Sequence, residues 1–152
     1  GNPSDAEVYR LHSHDLTRFA TVLVGPSDAQ DVVSNAFVRC LSATGWRDVR
    51  DRRAYLYTAV ANEAKNFKRS AARRRTREEA APTDPHVDPP SPRPDVIEAI
   101  EGLSVRQRAV VYLAYWEDMT DQMIANHLGI GAGSVRRHLA RARSKLREVL
   151  DE

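Results

Sequence analysis

Apolar residues return every three or four positions along most of this chain, and the strict alternation of a strand is missing throughout. The first such stretch, Asp5 to Val24, carries Leu16, Phe19, Ala20 and Leu23 at helical spacing and is stopped by Gly25-Pro26. A second helix is predicted to start at Ser27, with Gln30 completing a capping box and Asp28 and Asp31 in the first turn. Its apolar face is Val33, Ala36, Phe37, Cys40 and Leu41. Ser42 to Arg50, with Gly45 and Trp46, breaks the rhythm and reads as a loop. A third helix runs from about Arg52, with Leu56, Val60, Ala64 and Phe67 on its buried side and Asn62, Lys65 or Asn66, Arg69 and Arg73 on another.

The rhythm then stops. Six of the eight prolines lie between Pro82 and Pro94. Proline lacks an amide donor and fixes its own φ, so this run cannot be helix or central strand. It reads as an extended linker of about 16 residues, reaching roughly 50 Å at about 3.1 Å per residue. The chain divides accordingly into 1–78, 79–94 and 95–152. Beyond the linker four helices are predicted. Asp95 and Glu98 suggest a capping box for a short helix ending at Gly102, and Ser104 and Gln107 another for a helix to about Glu117. Thr120 opens a third, closed by Gly129, and Ser134 opens a fourth running to about Leu150. The fold class is all-α: a three-helix and a four-helix domain.

Charge changes the picture. The net value is only +2. Yet Lys65 to Arg77 holds seven basic residues and no acid, Arg136 to Arg147 holds six and no acid, and Glu78 to Glu101 between them holds seven acids against one base. Two basic blocks astride an acidic bridge fit a nucleic-acid binder whose charge is masked in the total. Cys40 is the single cysteine, so no internal disulfide forms, and it sits on an apolar face as a small hydrophobe. No run approaches the length needed to span a bilayer, and the start is unlike a signal peptide. A cytoplasmic protein without membrane insertion is expected.

The sharpest motif is Thr120 to Lys145: a short helix, Gly129-Ile130-Gly131, then a long basic helix. Ile124, Ala125 and Leu128 form one inner face, and Val135, Leu139, Ala142 and Leu146 step by four, three and four along the other. This is a helix-turn-helix, whose second helix enters the major groove. Off the buried stripe stand Ser134, Arg136, Arg137, His138 and Arg141, with Lys145 further along as a phosphate anchor. Arginine reads guanine bidentately, and either base neutralises phosphate. The bland alternative is the solvated face of a helical hairpin. The other basic run could equally be a solvated helix end, although Trp46, Tyr55, Tyr57 and Phe67 nearby suit unstacked bases. Core packing is the competing reading for each ring, and for Phe67 the better one. His12 and His14 lack further ligands, no phosphate loop is present, and the carboxylates are dispersed. Neither metal, cofactor nor enzymatic activity is expected.

The blocks SDAQDVVSNAFVRCL, RRAYLYTAVANEAKNFKR, LSVRQRAVVYLAYWEDMTDQMIANHLGI and SVRRHLARARSKLREVL, in this order across a linker, resemble sigma factors of the extracytoplasmic-function (ECF) group. The resemblance implies a subunit that directs core RNA polymerase to promoters. It implies that Asp28, Asp31, Val32, Asn35, Phe37 and Val38 dock on polymerase. Trp46, Asn62, Asn66, Arg69 and Arg73 would open and hold the minus-ten element, while Ser134, Arg136, Arg137, His138 and Arg141 read the minus-thirty-five element as duplex. An anti-sigma partner is also implied. The residues alone leave a stand-alone helix-turn-helix regulator as the alternative.

Overall fold

The computed structural model describes residues 4–78 and 94–150, with side chains over 4–74 and 98–149. Among the described residues seven helices follow one another: α1 Asp5–Val24, α2 Pro26–Ser42, α3 Arg52–Glu78, α4 Pro94–Glu101, α5 Val105–Tyr115, α6 Asp121–Leu128 and α7 Ala132–Leu150. A 3₁₀ turn, Trp46–Asp48, lies between α2 and α3. No strand occurs among the described residues. Residues 79–93, most of the expected linker, lie outside the described part.

The ends of α1 are set by two local devices. Ser4 Oγ accepts from the Glu7 amide at 3.2 Å, and Glu7 returns a carboxylate oxygen to the Ser4 amide at 3.3 Å. Gly25, at φ +92°, accepts a bend closed to most side chains; its amide ends α1 on the Thr21 carbonyl at 2.8 Å. The same glycine stands as N-cap of α2, with Pro26 in the first helical turn. The expected Ser27–Gln30 capping box is therefore absent. Proline's fixed φ starts the helix one residue earlier and puts Ser27 inside it. Ser104 and Gln107 do form their box, and Thr120 Oγ1 caps α6 by accepting from Met123. Two other starts differ from expectation. α4 opens at Pro94, before Asp95, whose side chain lies outside the described set. α7 opens at Ala132, with the Val135 amide bonded to the Gly131 carbonyl at 3.1 Å, so Ser134 lies inside the first turn.

The amphipathic faces meet as read except at Leu41, expected on the buried face of α2 but 38% exposed in its last turn. Leu16, Phe19, Leu23, Leu56, Val60 and Ala64 are fully buried, as are Ile124, Val135 and Ala142. Each large apolar side chain so buried contributes about 1.5–3 kcal/mol. Cys40 is buried, and burial pushes its thiol up to about 11, leaving it inert. The two halves do not keep separate cores. Phe19 and Tyr57 belong to the same apolar cluster as Tyr112, Leu113, Ile124 and Leu128, with the Phe19 ring 4.9 Å from Tyr57 and 5.7 Å from Tyr112. α1 and α3 pack directly on α5 and α6.

Candidate nucleic-acid interface

The helix-turn-helix is built by α6, the turn at Gly129 and α7. Gly129 ends α6 in the left-handed region, φ +66°, with its amide on the Ala125 carbonyl. Ile124 and Leu128 from α6 meet Val135 and Leu139 from α7 in the core. That leaves Arg136, Arg137 and Arg141 exposed, with Ser134 and His138 half-exposed. Ser134 Oγ accepts from Arg137 Nη2 at 3.0 Å, which holds this guanidinium over the first turn. Arg136 is 3.9 Å from Asp121 at the start of α6. His138 is held below the ordinary imidazole range, first by burial and then by the guanidiniums of Arg106, Arg141 and Arg137. Its Nδ1 is buried without a hydrogen-bond partner in the structure.

Lys145 is placed differently from the expected phosphate anchor. Its ammonium turns back on its own half, 3.1 Å from Gln107 Oε1 and 3.4 Å from the Gly102 carbonyl. The carboxamide and carbonyl offer the ammonium two oxygens within reach of its long stem. Arg143 likewise donates to Tyr115 Oη at 2.6 Å, its guanidinium 5.5 Å from that ring's centroid.

In the first half, Asn62, Asn66, Arg69 and Arg73 form one exposed stripe of α3, stepping by four, three and four. Trp46 leaves this set. It is 4% exposed, and its indole Nε1 donates to Asp5 Oδ1 at 3.1 Å, tying the 3₁₀ turn to the start of α1. An indole near cations suits either stacking on bases or packing under them, and here packing prevails. Tyr55 instead reaches the surface and lines, with Asn62, Thr58 and Glu63, a cleft of about 410 Å³. Glu63 forms a 2.6 Å ion pair with Arg39 of α2. Phe67 is half-buried against the core.

On α2, Asp28, Asp31, Asn35 and Val38 share one outer stripe, and Val38 is an exposed aliphatic at 63%. Val32 and Phe37 point the other way. They are 2% and 3% exposed, with the Phe37 ring 4.9 Å from Tyr9. These two residues hold α2 against the core and are shielded from any partner in this conformation. Among the described residues no group of three metal-ligating side chains gathers, and no helix is long and apolar enough to cross a membrane.

A bipartite helical protein with a duplex-reading motif in one half and a polar-basic stripe beside a cleft in the other has the form of a promoter-recognition factor. Residues 8–74 match the family described as Sigma-70 region 2, and residues 93–146 match Sigma-70, region 4. The RNA polymerase sigma-E factor of Streptomyces coelicolor is 32% identical over 151 residues, spanning 95% of this chain and 84% of that protein. The ECF RNA polymerase sigma factor SigL of Mycobacterium tuberculosis is 30% identical over 163 residues, spanning 95% and 88%. In fold, the chain is similar to the sigma factor RpoE solved with the anti-sigma factor NepR from Bartonella quintana (TM-score 0.70, 21% identity, 96% of each chain). It is also similar to a chain from the structure of CnrH with the cytosolic domain of CnrY (TM-score 0.61, 23% identity, 97% of this chain and 87% of that one). The chain belongs to the ECF group of the sigma-70 family and directs RNA polymerase to promoters for transcription initiation. The stand-alone regulator reading is thereby set aside.

Proposed function

We propose that this sigma factor is a non-catalytic, cytoplasmic subunit whose two halves take different parts of the promoter. Residues 95–152 read the minus-thirty-five element as duplex through Arg136, Arg137, Arg141, Ser134 and His138. Residues 1–78 hold unpaired bases of the minus-ten element along Asn62, Asn66, Arg69 and Arg73, and the proline-rich 79–94 spans the distance. Polymerase performs the bond-making chemistry. The carrying observation is α7: its arginines stand exposed on a helix pinned to its own half by Val135, Leu139 and Ala142. Exposed cations on a fixed helix following a glycine turn are the footprint of major-groove reading.

Docking on core polymerase is assigned to the outer stripe of α2. Asp28 and Asp31 supply charge for a basic partner, and Asn35 and Val38 continue the contact toward the helix end. Two similar folds were solved with a protein partner, one of them named an anti-sigma factor, so a protein inhibitor is part of the proposal. The test is co-elution of the full chain with core polymerase at moderate salt. Asp31→Lys combined with Val38→Glu should abolish co-elution while helicity by circular dichroism is retained. Co-elution unchanged by this pair would move the docking surface elsewhere.

A further inference from the structure

Two carboxylates line the cleft beside Asn62, and their surroundings differ. Asp51 is satisfied on both oxygens. Oδ1 accepts from the Ala54 amide at 3.0 Å, and Oδ2 accepts from Asn126 Nδ2 at 3.2 Å. Thr58 is likewise engaged, its hydroxyl 2.9 Å from the His127 carbonyl and 3.1 Å from that of Ala54. Glu63 has no such donor. Its side chain is 10% exposed, and Oε1 is buried without a hydrogen-bond partner. Arg39 Nε lies 2.6 Å from that oxygen, so the two meet as charges and not as an aligned hydrogen bond. A buried acceptor left without a donor carries its full desolvation penalty, and native structures seldom keep one to no purpose.

The neighbours of Glu63 define what would satisfy it. The Arg39 side chain is largely exposed, so its guanidinium keeps donors to spare. Tyr55 brings an exposed ring to the same cleft, a face on which a base can stack. Side by side, the guanidinium offers a donor and the carboxylate two acceptors. Donor, acceptor, acceptor is the order that cytosine presents to guanine in a base pair. Guanine answers it with O6, N1–H and the N2 amine. Cytosine and adenine have one donor group on that edge, and thymine has one between two acceptors. Each of these three would leave a carboxylate oxygen unpaired. The cleft, at about 410 Å³, falls in the range of about 300–1,000 Å³ that holds small ligands.

We propose that Glu63 is a specificity-determining residue of this cleft: with Arg39 it selects guanine as the unpaired base held beside Asn62. The carboxylate accepts from N1–H and the N2 amine, and Arg39 donates to O6. This rests on assigning base capture to the cleft beside Asn62. The selection acts only on an opened strand, because in duplex DNA the same edge of guanine is taken by its partner. A base is therefore tested for identity only after it has left its pair. The charge matters as much as the shape. Gln at position 63 would fill the same space but offer one acceptor and turn a donor toward the donors of guanine.

The test uses holoenzyme assembled from the full chain and core polymerase. Selection from a library randomised over the downstream element should enrich guanine at one unpaired position with wild type, and Glu63→Gln should lose that enrichment. A labelled forked promoter DNA carrying guanine or hypoxanthine at that position, which differ only in the N2 amine, is then titrated against each holoenzyme. Wild type should bind the guanine template roughly tenfold or more tighter, the effect of one hydrogen bond to a charged group. With Glu63→Gln the ratio should fall to within about threefold. The comparison of bases in wild type needs no substitution, so a variant that folds poorly does not blunt it. If Glu63 only ties α2 to α3, Glu63→Gln will lower the urea midpoint and weaken both templates alike with the ratio kept, which would overturn the proposal. So would wild-type selection without a guanine preference, or equal binding of the two templates. Asn62→Ala separates the two failures. If it weakens binding while wild type treats the templates alike, base capture stands and the role of Glu63 falls. If it leaves binding unchanged, the capture site itself is wrong and the proposal falls with it.

Discussion

The basic residues of α7 are not equivalent, and salt dependence should separate them. A side chain that neutralises one phosphate contributes about 0.9 to the slope of log K against log salt on duplex DNA. Over a rise from about 50 to about 200 mM salt, one such contact is worth roughly a three- to fourfold loss of affinity. Arg141 is exposed on the outward side of α7, whereas the Lys145 ammonium is occupied by Gln107 and the Gly102 carbonyl. Arg141→Ala should thus lower the slope by close to one full contact. Lys145→Ala should lower it by less than about a third of that, while costing about 0.5–1.5 kcal/mol of stability for the lost hydrogen bonding. The assay is holoenzyme binding to a labelled promoter duplex, titrated in salt, with wild type and both variants in parallel. A full-contact loss in Lys145→Ala, with none in Arg141→Ala, would refute the placement of both side chains.

Other consequences can be checked individually. Arg108→Ala removes three hydrogen bonds to backbone carbonyls at a site 8% exposed, two of them within the second half; a loss of about 2–4 kcal/mol is expected in urea denaturation. Asn62→Ala with Asn66→Ala should suppress permanganate reactivity of the promoter bubble while leaving polymerase co-elution intact. His138 and His12 are both held below the ordinary imidazole range, each chiefly by burial, so the folded chain binds fewer protons there than the unfolded one. Stability from this source is complete above the unfolded imidazole pKa of about 6.5 and is lost as pH falls below it, and His138→Gln should flatten the decline in the urea midpoint between pH 7.5 and 5.5. Cys40 should resist iodoacetamide at pH 8 in the native chain and react once urea unfolds it.

Much of the architecture is local and was therefore legible in the sequence. The stripe Val135, Leu139, Ala142 and the caps at Ser104 and Thr120 depend on residues within one or two turns, and they fold as their spacing predicts. Errors arose where two local signals competed. Pro26 and Ser27 both start helices, and the proline's fixed torsion acts one residue sooner. Trp46, Val32 and Phe37 were assigned to binding on residue type and resemblance, but all three are buried: Trp46 is held by Asp5 and Phe37 packs on Tyr9, residues far from them in sequence. The contact between the two halves was invisible for the same reason. Arg108 and Leu23 are 85 positions apart, Asn126 and Asp51 are 75, and neither pair leaves a pattern within any window of the chain. The turning of Lys145 onto Gln107 likewise spans 38 residues.

The division of labour between the halves is tested most directly by one promoter selection. Core polymerase with wild-type chain would transcribe from a library randomised over both upstream and downstream elements, and the productive templates would be sequenced. Wild type should enrich two separated blocks of preferred bases. Arg136→Ala with Arg137→Ala should erase preference in the upstream block alone, at about 1–3 kcal/mol for the base contact removed. Asn62→Ala with Asn66→Ala should erase it in the downstream block alone. If both double variants enrich the wild-type pair of blocks unchanged, or each blurs both blocks equally, the assignment of one promoter element to each half is wrong.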